Sequence, residues 1–231
     1  MPLSELEVSA LELSLRVAVV SVLASLPFGL AAAWLLARCR FPGKSLLDGL
    51  IHLPLVLPPV VVGYALLVLF GRRGAVGAWL YDSLGITLAF DWKGAALASA
   101  VMAFPLMVRA IRLSLEAVDR RLEAAARTLG AGPLRVFFTV TIPLTAPGIL
   151  TGAILAFARS VGEFGATITF VSNIPEVTQT LPLALYSLIQ QPGGEAAAAR
   201  LTVIAVVVAL LALIASEILA RRIARRIAGA A

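Results

Sequence analysis

Long apolar stretches alternate with short polar ones along the 231 residues of the chain. Five of the apolar stretches are long enough to cross the hydrocarbon core of a bilayer, which takes about 20 helical residues. They cover residues 13–37, 46–70, 94–115, 146–168 and 201–220. A further apolar piece, Leu181–Ile189, is too short to cross, so we expect it at the membrane surface or dipping into it. The pattern predicts an all-α membrane protein, a polytopic helical bundle of five transmembrane helices.

The composition agrees with a membrane-embedded chain. Hydrophobic residues make up 60% of the sequence and charged residues 14%, whereas soluble domains are about half apolar and about a quarter charged. The net charge of +6 does not indicate nucleic-acid binding, because the basic residues flank apolar stretches and no basic–aromatic surface accompanies them. A single cysteine excludes an intrachain disulfide, and a single histidine excludes His-based metal motifs. We therefore expect this chain to bind no metal and no cofactor.

The distribution of lysine and arginine predicts the orientation of the chain, because positively charged residues favour cytoplasmic loops. With the N-terminus outside, the cytoplasmic segments hold 13 of the 19 basic residues: Arg38, Arg40, Lys44, Arg109, Arg112, Arg120, Arg121, Arg127, Arg135, Arg221, Arg222, Arg225 and Arg226. The outer segments hold Arg72, Arg73, Lys93 and Arg200. We predict a multi-pass protein of the cytoplasmic (inner) membrane, with an extracytoplasmic segment over residues 1–10 and a basic cytoplasmic tail over residues 221–231.

The segment over residues 119–143, which joins the third and fourth apolar stretches, is neither apolar enough for a bilayer nor polar enough for a disordered linker. Its first half repeats apolar residues with helical spacing, at Leu122, Ala125, Ala126 and Leu129. The sequence Gly-Ala-Gly-Pro follows, and a proline suits the first turn of a second helix because it needs no partner for an N–H group there. The segment therefore predicts two short amphipathic helices joined by a glycine elbow on the cytoplasmic side.

The same segment resembles the EAA–G–I–LP loop of type I ABC-importer permeases, through Ala-Ala-Ala-Arg-Thr-Leu-Gly ending at Gly130 and the proline at Pro143. Three positions depart from that pattern, since Ala124 occupies the glutamate position with Glu123 one residue earlier, valine replaces isoleucine, and isoleucine replaces leucine before the proline. The resemblance implies a cytoplasmic coupling helix that docks into a groove of a separate ATPase. The implied coupling residues are Glu123, Ala125, Ala126, Gly130, Ala131, Gly132 and Pro143.

Further stretches look like the molybdate-importer permeases within that family, notably residues 40–44, 52–64, 71–74, 157–166 and 170–175. The likeness implies an ABC transmembrane type-1 domain over residues 11–220 that moves molybdate inward by alternating access. It implies four kinds of partner: a second copy of the chain, two ATP-binding subunits that hold ATP and Mg, an extracytoplasmic molybdate-binding protein, and the lipid bilayer. Tungstate and sulfate permeases share parts of the pattern, so these cargoes stay open as alternatives.

Two groups of residues within the apolar stretches are candidates for the translocation pathway or gate. Three prolines in the second stretch remove backbone donors and break the helix, which exposes backbone dipoles that can line a gate, although packing kinks have the same signature. In the fourth stretch an arginine and a glutamate lie four residues apart, on one helix face, where they either pair with each other or contact the ion. The candidate residues are Pro54, Pro58, Pro59, Gly63, Arg159 and Glu163.

Other function classes lack their sequence signatures. An ion-coupled secondary transporter is the less favoured alternative, because it normally carries internal repeats and several carboxylates at membrane depth, and Glu163 is the only deeply placed acid. No Ser/His/Asp, paired-carboxylate or Cys/His constellation is present, so we expect no enzymatic activity. Gly43-Lys44-Ser45 is not a P-loop, since position 38 is arginine and a predicted helix precedes it. We place the binding-protein contacts in the outer loops 71–93 and 169–200.

Overall fold

Every regular element that the structure describes over residues 4–228 is helical. The structure is a computed structural model. Its α-helices are α1 (Glu5–Arg38), α2 (Lys44–Val56), α3 (Pro59–Phe70), α4 (Ala75–Leu84), α5 (Trp92–Ala117), α6 (Arg120–Thr128), α7 (Pro133–Val136), α8 (Ile142–Val161), α9 (Gly165–Val171), α10 (Leu181–Ile189) and α11 (Glu195–Ala228), and a π-helical turn at Phe137–Thr141 joins α7 to α8.

Four helices in the described part of the chain are long and apolar enough to cross a membrane, namely Glu5–Arg38, Trp92–Ala117, Pro133–Val161 and Glu195–Ala215. The predicted second span, residues 46–70, is instead the pair α2 and α3, whose axes turn by 113°. Proline causes the break, because Pro58 and Pro59 supply no N–H and disfavour a helical conformation of the residue before them. The pair is a fifth candidate span if it is counted as one.

Both terminal helices extend beyond the predicted apolar spans. Helix α1 begins at Glu5 because Ser4 and Glu7 form a capping box, in which the Ser4 Oγ accepts from the Glu7 N–H at 3.3 Å and the Glu7 carboxylate accepts from the Ser4 N–H at 2.7 Å. Helix α11 continues to Ala228, so most of the predicted basic tail is helical. Residues 1–3 and 229–231 of the predicted terminal segments lie outside the described residues.

The expectation of two separate short helices between the third and fourth spans is wrong for the second of them. Helix α7 continues through the π-helical turn into α8, so the apolar helical run covers Pro133–Val161. A proline inside a regular α-helix collides with the carbonyl group four residues earlier, which for Pro143 is that of Thr139. The wider π turn immediately before Pro143 relieves this collision without ending the helix.

Helix α5 is the central element of the bundle and packs against α1 on one side and α8 on the other. Its residues Met107, Ile111 and Leu115 are fully buried in one apolar cluster, near the end of the bundle where α1 and α5 finish. A second cluster near the opposite end includes Val17 of α1 and Phe170 of α9. The packing leaves most of residues 119–143 outside the core, with Val136 and Thr141 buried, at the end of the bundle that we call the coupling end.

Candidate functional site

Residues 119–143, which we call the coupling segment, begin with a capped helix that ends in a defined turn. Helix α6 starts after Asp119, whose carboxylate accepts from the Arg121 N–H at 2.9 Å. At its end, Gly130 has a left-handed φ of +84°, its N–H donates to the Arg127 carbonyl, and the Ala131 N–H donates to the Ala126 carbonyl. This hydrogen-bond pair is a Schellman motif, which a glycine at the left-handed position favours. The predicted glycine elbow is therefore a helix C-cap.

Glu123 points toward the bundle rather than away from it. Its Oε1 accepts a hydrogen bond from the Arg38 guanidinium at 3.0 Å and a second one from the Thr141 hydroxyl at 2.9 Å. Arg38 is the last residue of α1, and Thr141 closes the π-helical turn before α8. The one acidic residue of the implied coupling set is thus engaged inside the chain.

The surface that the coupling segment exposes is apolar and basic. Leu129 is 89% exposed, Leu134 73% and Phe138 64%, and Ala125, Gly130, Gly132 and Pro143 are also exposed, whereas Ala126 and Ala131 are half-buried. The exposed basic residues around them are Arg120, Arg121, Arg127 and Arg135. Exposed apolar groups on a polar segment mark interaction surfaces, so the arrangement suits a protein partner with an apolar groove.

Helix α3, which begins at Pro59 and contains Gly63, packs closely against α9, which begins two residues after Glu163. A Cβ atom at Gly63 would lie 2.5 Å from the Ala166 carbonyl oxygen, and one at Gly165 would lie 2.8 Å from the Cβ of Pro59. Of the other predicted prolines, Pro58 is exposed at the bend between α2 and α3, and Pro54 borders an apolar groove between α1, α2 and α5. The structure therefore brings Pro59 and Gly63 to the residues that follow Glu163.

Arg159 and Glu163 are an ion pair, although they do not share a helix as the spacing suggested. Helix α8 ends at Val161, and Glu163 lies in the short break before α9. The Glu163 side chain is 1% exposed; one of its carboxylate oxygens accepts from the Ala166 N–H at 2.9 Å, and the other contacts the Arg159 guanidinium. Arg159 itself is 29% exposed. Glu163 thus orients the arginine and the start of α9, and the arginine is the more accessible charge.

Two contacts between distant parts of the chain were not predicted. The Glu7 carboxylate, 3% exposed, pairs with Arg200 at 3.0 Å and so joins the start of α1 to the start of α11. The Ser21 and Ser160 hydroxyl groups lie 2.9 Å apart in the interior and join α1 to α8 next to Arg159. The Ser-x-x-Glu signature at residues 4–7 signals the start of α1 but not the partner of Glu7, and no local pattern indicates the serine pair.

Comparison with known proteins decides the family. The family described as "Binding-protein-dependent transport system inner membrane component" matches residues 25–228, which include the coupling segment and all six candidate gate residues. The chain belongs to this family. The resemblance seen in the sequence is therefore confirmed, and the protein is a multi-pass membrane permease subunit.

Curated relatives cover nearly the whole chain. "Molybdenum transport system permease protein ModB" of Escherichia coli (strain K12) is 66% identical over 229 residues, 99% of this chain and all of the relative. The protein of the same name in Haemophilus influenzae is 60% identical, over 96% of this chain and 97% of the relative. A "Probable sulfate transport system permease protein cysT" of Nephroselmis olivacea is 38% identical, over 89% of this chain and 70% of the relative.

Solved structures with the same fold are ABC importers. A bacterial ABC transporter for the acidic polysaccharide alginate matches with a TM-score of 0.73 and 18% identity, over 95% of this chain and 80% of that one. The MetNI methionine ABC transporter in an inward-facing conformation matches with a TM-score of 0.72 and 18% identity, over 96% of this chain and 99% of that one. At such identities the likeness shows the fold alone, and it confirms the prediction of an all-α transmembrane domain of the type I ABC-importer class.

Proposed function

We propose that this chain is the permease subunit of an ATP-driven importer that carries molybdate across the cytoplasmic membrane by alternating access. The observation that carries the proposal is the 66% identity to a molybdenum transport permease over 99% of this chain and the full length of the relative. Tungstate shares the tetrahedral oxyanion form of molybdate, and a 38% identical sulfate permease keeps sulfate as the second candidate cargo.

The working assembly in this proposal contains two copies of the chain, two ATP-binding subunits that hold ATP and Mg, and an extracytoplasmic molybdate-binding protein. The coupling segment supplies the ATPase contact through its exposed face around Leu129. The excess of basic residues at the coupling end supports a cytoplasmic position for that end, which leaves the N-terminus outside. The outer loops then present α4, with Trp79 60% exposed, and α10, with Ile189 68% exposed, to the binding protein.

The gate in this proposal is the junction of α3 with α9. ATP binding closes the two ATPase subunits, the coupling segments move with them, and the bundles rock between outward and inward access. Because Gly63 and Ala166 are in backbone contact, α3 and α9 move as one unit during this change. Arg159 keeps 29% of its side chain exposed beside this unit, which allows its positive charge to attract an oxyanion.

Uptake by the purified complex tests the proposal. The chain is co-expressed and purified with its ATPase subunit, reconstituted into proteoliposomes, and supplied with the binding protein and radiolabelled molybdate. We expect uptake that requires ATP and Mg and that excess tungstate inhibits more strongly than sulfate. Stronger inhibition by sulfate would reassign the cargo, and uptake by the chain without an ATPase subunit would instead establish an ion-coupled transporter.

A further inference from the structure

Helix α6 is attached to the rest of the molecule in an unusual way. None of its residues is fully buried, so apolar packing holds it only weakly against the bundle. Its covalent connections are the short link from α5 at Val118 and Asp119 and the cap at Leu129–Gly132. The side chain that ties it to other helices is Glu123, through Arg38 and Thr141.

Three elements meet at a single oxygen atom of Glu123. Arg38 Nη2 and Thr141 Oγ1 both donate to the same Oε1, at 3.0 and 2.9 Å. The Arg38 side chain is only 10% exposed and that of Glu123 16%, so water screens the pair little. Hydrogen bonds that involve charged groups are shorter and stronger than neutral ones, and they are stronger still away from water. The contact therefore fixes the position of α6 relative to both neighbouring helices.

We propose that Glu123 is a positioning residue, an internal latch that locks the coupling segment to the ends of α1 and α8. The inference rests on the proposed function, and it adds a role to one residue of the coupling set. Movement of α6 passes through the Glu123 carboxylate to Arg38 on α1 and to Thr141 at the start of α8. Glu123 is consequently unavailable to the ATPase partner, which contacts the apolar and basic face instead.

The two helices that the latch holds are joined a second time in the interior. Ser21 of α1 and Ser160 of α8 share a hydrogen bond of 2.9 Å, and Ser160 is adjacent to Arg159 in the chain. Helices α1 and α8 are thus connected at the coupling end and again beside the candidate gate. In this proposal, a displacement that enters at Glu123 reaches Arg159 through α1 and α8.

The test compares single and double variants in the assembled, reconstituted transporter. Four variants are scored for ATPase co-purification, ATP hydrolysis and molybdate uptake. They are Glu123→Gln, Arg38→Gln, Thr141→Val and the double variant of Glu123 and Arg38. We expect co-purification to be unchanged and uptake per ATP hydrolysed to fall by about fivefold or more in Glu123→Gln and Arg38→Gln, a typical size for coupling between two sites. The double variant should be no worse than either single one, because both break the same contact.

Matched controls separate the latch from a general loss of charge or hydroxyl. Glu116→Gln removes an exposed acid that pairs with Arg112, and Thr151→Val removes a hydroxyl of α8, outside the coupling segment, that donates to the Pro147 carbonyl. Both should keep the wild-type ratio of uptake to hydrolysis. Arg38→Lys, which keeps the charge, should retain more coupled uptake than Arg38→Gln.

Three results would overturn the latch. One is loss of the ATPase subunit in Glu123→Gln but not in Arg38→Gln, since it would show a direct contact with the partner. Another is normal coupling in both variants, and the third is additive defects in the double variant. If Glu123→Gln does not assemble, Thr141→Val decides, because it removes one hydroxyl and should still lower the coupling ratio. The proposed function is tested separately by the wild-type complex, because absence of ATP-driven uptake there would contradict the function and not the latch.

Discussion

The coupling segment and the contact between α3 and α9 are held in place by opposite means. In the coupling segment, α6 buries no residue and is positioned by hydrogen bonds at its cap and at Glu123. At the α3–α9 contact the backbones touch, with no room for a Cβ atom at Gly63. One region is attached by a few directional contacts at the surface, and the other by close packing in the interior.

These two kinds of attachment predict different consequences of mutation. Close-packed interiors tolerate little added volume, so substitutions at the α3–α9 contact act on stability first. An exposed segment held by a few hydrogen bonds contributes little to stability, so we expect substitutions there to act on coupling to the ATPase in the proposed assembly. This division suits an importer subunit in which a lightly packed surface segment acts on a close-packed interior junction.

Gly63→Leu is expected to have the largest effect on the fold. The added side chain would collide with the Ala166 backbone, whose oxygen lies 2.5 Å from the ideal Cβ position, and overpacking of this kind costs about 2 to 3 kcal/mol or more. We expect a large drop in the thermal midpoint of the detergent-solubilised protein. Gly49→Leu is the matched control, because nothing lies within 4 Å of a Cβ there. An equal loss in both variants would contradict the close-packing interpretation.

The helical fold followed from apolar spacing, whereas the angle between helices did not. Pro58 and Pro59 predict a break in the second span through local sterics. They do not predict the 113° turn, nor that α3 then packs against Ala166, about a hundred residues later. Likewise, Gly130 signalled the end of α6 by itself, but the neighbour of Glu123 is Arg38, 85 residues away in sequence. Short-range rules therefore predict where helices end and break, whereas the packing partners of those helices depend on contacts with residues distant in the sequence.

The boundary of the fourth span shows the same limit. Apolar composition continues through residues 162–168, so the sequence predicts one helix there, yet the structure divides it at Gly162. The division is stabilised by Glu163, whose carboxylate accepts from the Ala166 N–H at the start of α9. A buried carboxylate that caps a helix and pairs with Arg159 outweighs the helical preference of the segment. Composition alone carries no information about that pairing.

Glu163→Gln should have an intermediate effect. The amide can still accept from the Ala166 N–H, but only as a neutral acceptor, whereas a hydrogen bond to a charged group contributes about 1.5 to 3 kcal/mol. It also leaves Arg159 without its charge partner. We expect a lower thermal midpoint together with reduced uptake. Glu217→Gln breaks an ion pair of the same i,i+4 spacing whose two side chains are more than 60% exposed, and such a pair contributes at most about 1 kcal/mol. Comparable losses in the two variants would argue against a special role for the buried pair.

Gly130→Ala should have the smallest effect on the fold and a visible effect on coupling. There is space for a methyl group at Gly130, but a Cβ atom at a φ of +84° costs about 1 to 2 kcal/mol of local strain. Because the coupling segment packs so lightly, that strain is expected to unwind the α6 cap rather than unfold the bundle. The thermal midpoint should stay near the wild-type value while uptake per ATP falls.

Two companion variants decide whether backbone conformation is the cause. Gly130→Asn should retain more coupled uptake than Gly130→Ala, since asparagine tolerates the left-handed region better. Gly132→Ala places the same methyl group two residues later, at an ordinary φ of −67° and in equally open space, and should be neutral. If Gly132→Ala were as damaging as Gly130→Ala, the partner's need for a small side chain, and not the helix cap, would explain the glycines. Both regions would then require small side chains for steric reasons, imposed by the ATPase partner at the coupling segment and by the chain's own backbone at the α3–α9 contact.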